Sequence, residues 1–292
     1  MKQYRTSALY CPRAYAALLI LVVAYSLTDT CETTLYHVLV HTFGLHRSAP
    51  NTLGEATYGA LMVVRLAWNG ALWLAVCATL RWSPRAFPMG GQKILRYVLL
   101  GFVTGLTVML ATIAGILALK SAAVLAPEQS WTSALENGFK WVFLDFLGAL
   151  GEEIYGRAVI LIMAERFLGP RGAILISGVM FSGLHLFNPG ASWIWLVRLF
   201  CQGMLLAYAV FRTDSLGWSV GYHTGWNWVS APLLGAVGSG YMDEGHIFEF
   251  HPHGSIWITG GSVGPEGSIL AFLAVSTALG ILLLTTPSRH VA

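Results

Sequence analysis

Long apolar segments constrain the fold of this chain more than any other feature. A helix that crosses a bilayer needs about 20 mostly apolar residues, and its backbone must hydrogen-bond within the segment. Hydrophobic residues form 55% of the chain and charged residues only 11%, against about 25% charged in soluble domains. The sequence therefore predicts an all-α, polytopic transmembrane bundle of about eight spanning helices. The candidate spans are residues 14–39, 58–80, 94–119, 134–165, 172–188, 193–211, 216–237 and 268–286.

The distribution of lysine and arginine orients these spans. If odd-numbered spans leave the cytoplasm, the outer side carries only Arg47 and Lys120. The inner loops and their edges carry Lys2, Arg5, Arg13, Arg81, Arg85, Lys93, Arg96, Arg166, Arg171, Arg212 and Arg289. By the positive-inside rule, both termini are expected in the cytoplasm and the loop 238–267 outside. The basic start lacks a small-residue cleavage site, so the first span is interpreted as a retained helix and not a signal peptide.

Composition also limits the partners of the chain. The formal net charge is +3 and no basic run is present, so nucleic-acid binding is not expected. The four cysteines are far apart and lack the spacing of metal ligands. The expected surroundings are a lipid bilayer, and we expect a multi-pass protein of a cell membrane.

Three polar clusters interrupt the apolar spans. Ionisable groups cost about 2.5–3.5 kcal/mol each at the centre of a bilayer on insertion scales, so their presence indicates a function. Counted from the arginine at the cytoplasmic edge of each span, the three clusters lie about 21, 21 and 17 Å deep at 1.5 Å per residue. They are therefore predicted to meet near one level. The clusters are Glu152, Glu153 and Arg157; Phe181 and His185; and His223 and Asn227.

Helix geometry separates the two carboxylates of the first cluster. Glu153 and Arg157 are four residues apart and share a face, so we predict a structural ion pair. Glu152 points about 100° away from Glu153, which leaves it free to act as a general base on water. An intramembrane salt bridge with a spare glutamate is the structural alternative. The fourth span is overlong, and we expect it to break near Gly148 and Gly151.

The two histidines have a functional and a structural interpretation. His185 lies at the depth of the carboxylates, which favours function over simple packing. His223 and Asn227 share a helical face and could donate hydrogen bonds to a developing oxyanion. The alternative is an interhelical hydrogen bond, worth about 0.6 kcal/mol on average in membranes.

Zinc and an anion are two further ligands to weigh. Two histidines and one carboxylate form a known catalytic zinc set, but no HExxH spacing is present. Zinc is compatible with these residues, and metal-free water activation by Glu152 and His185 explains them equally. The glycine-rich stretch 260–268 could cradle an anion. A capped turn, with Glu266 favourable to the dipole of the last helix, is the preferred interpretation.

The three motifs together resemble those of a known protease family. Glu-Glu-x-x-x-Arg at 152–157, Phe-x-x-x-His at 181–185 and His-x-x-x-Asn at 223–227 are similar to the motifs of the CPBP (CAAX-processing and bacteriocin-immunity, or Abi) family of intramembrane endopeptidases. This family includes the type II CAAX prenyl endopeptidase. The resemblance covers about residues 140–235, and the stretch 260–268 resembles a tail of some bacterial members. It therefore favours a bacterial inner membrane.

The resemblance implies a role for each motif residue. Glu152 and His185 would activate the attacking water, and His223 and Asn227 would stabilise the oxyanion. The supporting residues would be Glu153, Arg157 and Phe181. The implied activity is hydrolysis of peptide bonds in peptide or protein substrates at the membrane.

The expected organisation has three parts: N-terminal transmembrane helices at 1–133, a catalytic core at 134–237, and an outer loop with the last helix at 238–292. Two other functions compete with proteolysis. A non-catalytic immunity or scaffold protein would use the clusters only to hold helices together. An ion- or proton-coupled transporter would use them as a relay, but the halves of the chain show no paired repeats.

Overall fold

A computed structural model of the protein describes residues 12–44, 51–84, 88 and 91–287. Most of these residues are helical, as the apolar segments predict. The helices are α1 (Pro12–Phe43), α2 (Glu55–Leu80), α3 (Ile94–Ala118), α4 (Trp131–Glu153), α5 (Ile162–Gly183), α6 (Trp193–Thr213), α7 (Gly217–Trp228), α8 (Ile256–Thr259) and α9 (Leu270–Thr285). Two π-helical segments, Ile154–Leu161 and Val229–Leu233, extend α4 and α7.

Short strands, which the sequence did not predict, attach the loop after α7 to the rest of the fold. β1 (Thr52–Leu53) pairs in parallel with β3 (Met242–Asp243). β2 (Ala122–Leu125) pairs antiparallel with β4 (Glu249–Pro252). The loop is therefore fixed both to the start of α2 and to the segment between α3 and α4.

Four helices in the described part of the chain are long and apolar enough to cross a membrane. They are Glu55–Leu80, Ile94–Ala118, Trp193–Thr213 and Gly261–Thr285. The other four predicted spans also fold mainly as helix, and three of them carry the polar clusters. The chain is a polytopic helical membrane protein. Of the basic residues used for orientation, Lys2, Arg5, Arg47, Arg85 and Arg289 lie outside the described residues.

The buried apolar side chains form two cores. The first is built from α3, α6, α7 and α9, with Met109, Leu206 and Trp218 fully buried. The second joins α2, the first π-helical segment and α6 through Val76, Leu161 and other apolar side chains. The helix α7, which carries His223, contributes side chains to both cores.

The expected break near Gly148 and Gly151 is wrong. α4 continues through both glycines to Glu153, and the irregular turn is the π-helical segment that follows. The glycines instead permit close contact with α2: a Cβ atom at Gly148 would lie 2.3 Å from the Tyr58 hydroxyl. The chain bends later, at Gly169, where φ is 69°. π-Helical segments such as Ile154–Leu161 often accompany functional sites.

Backbone contact between α3 and α7 fixes the helix that carries His223. A Cβ atom at Gly101, Gly105, Gly221 or Gly225 would lie only 2.0 to 2.3 Å from a backbone oxygen of the other helix. Each helix thus has two glycines four residues apart at the contact, an arrangement that brings membrane helices together. His223 lies between the two glycines of α7, so its position depends on this contact.

Gly221→Ala should destabilise the protein by about 1–3 kcal/mol, the usual cost of overpacking a core. The added methyl group would meet the Val98 carbonyl oxygen at 2.0 Å, and a backbone atom cannot rotate away. Thermal unfolding in detergent measures this effect. Gly280→Ala in α9 is the matched control, because nothing lies within 4 Å of its Cβ position. Equal melting temperatures for the two variants would contradict the role of the α3–α7 contact.

Asp243 in β3 makes stability depend on pH. Burial raises the pKa of this carboxyl group from its ordinary value of 3.8 to about 8. The folded state therefore binds the proton more tightly than the unfolded state. We expect the contribution of Asp243 to stability to be fully present below about pH 4, to fall as the pH rises towards 8, and to level off above it. The melting temperature measured from pH 4 to 9 tests this expectation.

Asp243→Asn should remove much of this pH dependence and raise the melting temperature at pH 8, because the amide carries no charge to bury. Glu136→Gln, an exposed change on α4, is the control and should leave the pH dependence intact. An unchanged pH profile for Asp243→Asn would contradict the prediction.

Candidate active site

Glu153, Arg157 and His223 form a closed polar cluster at the junction of α4, the first π-helical segment and α7. Arg157 Nη1 donates to Glu153 Oε1 at 3.0 Å, and the side chains of both residues are fully buried. His223 Nδ1 lies 3.1 Å from the same oxygen. Because the carboxylate can only accept, the imidazole donates through Nδ1. The predicted Glu153–Arg157 ion pair is confirmed, and it also holds His223.

Glu152 is the accessible carboxylate of the pair. Its side chain is 24% exposed, whereas that of Glu153 is fully buried. Glu152 Oε2 lies 3.9 Å from His223 Nε2, too far for a hydrogen bond. This oxygen has no hydrogen-bond partner within the described part of the chain. The carboxylate therefore retains an oxygen that can accept a proton from a bound molecule.

Arg65 of α2 is a member of the site that the motifs do not reveal. Its Nη1 atom lies 3.3 Å from Glu152 Oε1, and its side chain is 26% exposed. The two residues are 87 positions apart, and Arg65 precedes the region covered by the motifs. The only signal in the sequence is an isolated arginine within an apolar span.

Phe181 connects the second cluster to the other two. Its ring lies 4.5 Å from Arg157 Cζ, 5.1 Å from the His185 ring and 5.7 Å from the His223 ring. The three predicted clusters therefore meet around one aromatic side chain.

His185 packs beside Phe181, with the two ring centroids 5.1 Å apart. Its Nδ1 donates to the Phe181 carbonyl oxygen at 2.8 Å, and its ring meets Trp195 edge to face at 5.7 Å. The structure shows no hydrogen bond or ion pair between His185 and Glu152, both of which are described. Because Nδ1 carries the donated proton, the neutral ring has its lone pair on Nε2.

Asn227 follows His223 by one turn, near the end of α7. Its backbone oxygen accepts from Ser230 Oγ at 3.0 Å. Its side chain is partly exposed, and its amide makes no hydrogen bond with the described residues.

Two other expectations concern ligands and the glycine-rich stretch. Among the residues that the structure describes, no group of three or more His, Cys, Asp or Glu side chains is placed to hold a metal ion. The stretch 260–268 does form a tight turn, with φ of 72° at Gly264. The Glu266 carboxylate is bound by Arg198 of α6 at 3.0 Å.

The fold and the site define a polytopic membrane protein in which two carboxylates, an arginine and two histidines meet inside a helical bundle. Residues 135–229 match the family described as type II CAAX prenyl endopeptidase Rce1-like. This part of the chain is thus an Rce1-like domain of the CPBP family, which indicates an intramembrane protease. The match extends from α4 to the second π-helical segment and includes every predicted site residue. Neither a curated protein nor a solved structure matches the chain.

Proposed function

We propose that the protein is an endopeptidase that uses Glu152 to activate water for hydrolysis of peptide bonds in membrane-associated substrates. The observation that carries this proposal is the unpartnered oxygen of Glu152. This oxygen is buried 3.9 Å from His223 Nε2, although the Glu152 side chain as a whole is 24% exposed. A general base must reach the proton it removes, and Glu152 can do so where Glu153 cannot.

In the proposed reaction, Glu152 removes a proton from water while the water oxygen attacks the carbonyl carbon of the peptide bond. The carbonyl π electrons move to its oxygen, which becomes the oxyanion of a tetrahedral intermediate. The intermediate collapses, the C–N bond breaks, and Glu152 returns the proton to the leaving amine. The products are a carboxylic acid and an amine, and the enzyme regains its starting state.

His185 is proposed to orient the attacking water together with Glu152. Its Nδ1 hydrogen bond to the Phe181 carbonyl fixes the ring and leaves Nε2 as an acceptor. An acceptor beside a carboxylate can hold both protons of one water molecule. This assignment agrees with the burial of His185 beside Phe181, whose ring also contacts Arg157.

His223 and Asn227 are proposed to stabilise the oxyanion. Donation by His223 through Nε2 requires the imidazolium form, since Nδ1 already donates to Glu153. The carboxylates of Glu152 and Glu153 on either side favour that positive charge. The unpartnered amide of Asn227 supplies a second donor from the same face of α7.

The remaining expectations belong to the same proposal. The catalytic core would be residues 134–237, within a bundle of eight spans with cytoplasmic termini and the loop 238–267 outside. A bacterial inner membrane remains the proposed location. A scaffold or immunity function is the second candidate, because the buried network of Glu153, Arg157 and His223 would hold α4 to α7 without any chemistry.

A comparison of peptide termini tests the proposal. Membranes from cells that carry the wild type or Glu152→Gln are analysed for new protein termini by mass spectrometry. Glu136→Gln is the matched control, because it makes the same change at an exposed position of the same helix. We expect termini that depend on the wild type and the control and are absent with Glu152→Gln. Identical termini in all three samples, with any phenotype preserved, would favour the scaffold function.

A further inference from the structure

Glu266 lies at the centre of a buried polar network outside the Rce1-like match. Its Oε2 accepts from Arg198 Nη2 at 3.0 Å, Ser239 Oγ at 3.0 Å and Trp195 Nε1 at 3.3 Å. Arg198 Nε also donates to the backbone oxygen of Glu266 at 3.0 Å. One carboxylate thus joins α6, the loop after α7 and the turn before α9.

The Glu266 network contacts His185 through the Trp195 side chain. The indole that donates to Glu266 belongs to Trp195, and the Trp195 ring meets the imidazole ring of His185 edge to face, with an interplanar angle of 88°. A shift of the indole would therefore change the packing surface of His185.

The loop held by Glu266 also contacts the turn that follows His185. Asn188 Nδ2 donates to the Ser239 backbone oxygen at 2.9 Å. Gly190 approaches Ser262 so closely that an added Cβ would lie 2.3 Å from the serine Cβ. Residues 188–190 are therefore enclosed by two parts of the loop, and both parts lie within a few residues of Glu266 or its partner Ser239.

We propose that Glu266, held by Arg198, is a positioning residue for His185. It fixes the Trp195 indole against the imidazole and anchors the loop that covers the turn after His185. This inference rests on the proposed function, in which His185 orients the attacking water. Among the described residues, His185 has no polar side-chain partner. The motif residues therefore do not fix its ring through a side chain, and the C-terminal segment would do so through Trp195.

The test compares Glu266→Ala with Glu266→Gln in the full-length protein in proteoliposomes. Alanine removes the acceptor for all three donors, whereas glutamine retains an acceptor oxygen. For Glu266→Ala we expect kcat to fall about 10- to 100-fold, the cost of misplacing a reacting group by about 1 Å, with KM little changed. Glu266→Gln should recover most of that loss.

Arg212→Met is the matched control. Arg212 is also a buried arginine of α6 that binds the C-terminal segment, through Thr286 Oγ1 at 2.6 Å and the Thr286 backbone oxygen at 2.8 Å. It lies 14 residues from Arg198, or about 21 Å along the helix. This variant should lower the melting temperature but leave kcat unchanged. An equal loss of kcat in Arg212→Met and Glu266→Ala at equal stability would show a merely structural role and overturn the proposal.

A second measurement needs no substrate. Diethyl pyrocarbonate modifies accessible histidines, and mass spectrometry gives the rate at each position. We expect the rate at His185 to rise several-fold in Glu266→Ala but not in Arg212→Met, with the exposed His251 and His253 as internal standards. Unchanged labelling of His185 in folded Glu266→Ala would overturn the proposal. If that variant does not fold, Trp195→Phe removes only the indole donor and should raise labelling in the same direction, and its failure to do so counts equally against the proposal.

The two hypotheses fail in different ways. If the wild type cleaves no more than Glu152→Gln, the proposed function fails, and the labelling of His185 still decides whether Glu266 positions it. If the wild type cleaves but Glu266→Ala matches it in kcat and labelling, only the positioning role is lost.

Discussion

Glu152→Gln should reduce kcat by about 10²–10⁴-fold, the range that general bases contribute. The amide has nearly the shape of the carboxylate and can still contact Arg65, but it cannot accept a proton from water. Binding of substrate should change little, so the loss should appear in kcat with KM nearly constant. Purified protein in proteoliposomes and a quenched fluorescent peptide, identified from the wild-type-dependent termini, provide the measurement.

The stability of Glu152→Gln shows whether a loss of activity comes from lost proton transfer or from loss of the folded state. Glu152 and Arg65 form a partly buried pair, and the glutamine side chain keeps an oxygen that can accept a hydrogen bond from Arg65. The variant should therefore melt close to the wild type. Retained cleavage by a folded Glu152→Gln variant would exclude the proposed mechanism, and loss of cleavage in the Glu136→Gln control would show that the assay reports something other than the site.

The meeting of the three clusters could be predicted because regular helices convert sequence position into depth. Each helix rises by 1.5 Å per residue from an edge marked by arginine, so Glu152, His185 and His223 could be placed at one level before their contacts were known. The i, i+4 spacing of Glu153 and Arg157 similarly predicted a pair that the structure shows at 3.0 Å. Both inferences depend only on local geometry.

Contacts between distant segments could not be predicted in this way. Arg65 reaches Glu152 across 87 positions, and Arg198 reaches Glu266 across 68. Each arginine belongs to an apolar span, where the sequence indicates a cost but not the partner that offsets it. Only the packing of α2 on α4, and of the C-terminal turn on α6, determines these pairs.

The structural role of a glycine in these helices also depends on contacts that the sequence does not specify. Gly148 and Gly151 predict a helix break, but α4 continues through both glycines, and side chains of α2 pack against them. A glycine in a membrane helix permits either a bend or a close contact, and the choice depends on the neighbouring helix. The four-residue spacing of Gly221 and Gly225 is the kind of pattern that indicates a close helix contact.

Arg157→Met should be the most destabilising of the substitutions considered, at about 3–5 kcal/mol. Arg157 and Glu153 have fully buried side chains, so removal of the guanidinium breaks the ion pair and leaves the buried carboxylate to the His223 imidazole. The free energy of unfolding in detergent is the measurement. Lys140→Met is the matched control, because Lys140 and Glu136 form a pair with the same spacing on the same helix but are 48% and 66% exposed. The control should cost less than about 1 kcal/mol.

The double variant Glu153→Leu/Arg157→Met separates the structural and catalytic roles of the pair. Replacing both charges by apolar groups removes the uncompensated carboxylate, so stability should recover most of what Arg157→Met loses. Cleavage should not recover, because His223 loses the acceptor that holds its Nδ1–H. A double variant that regains both stability and cleavage would show that Glu153 has no part in catalysis. If the double variant remains as unstable as Arg157→Met, the pair stabilises the bundle through interactions other than the attraction between its two charges.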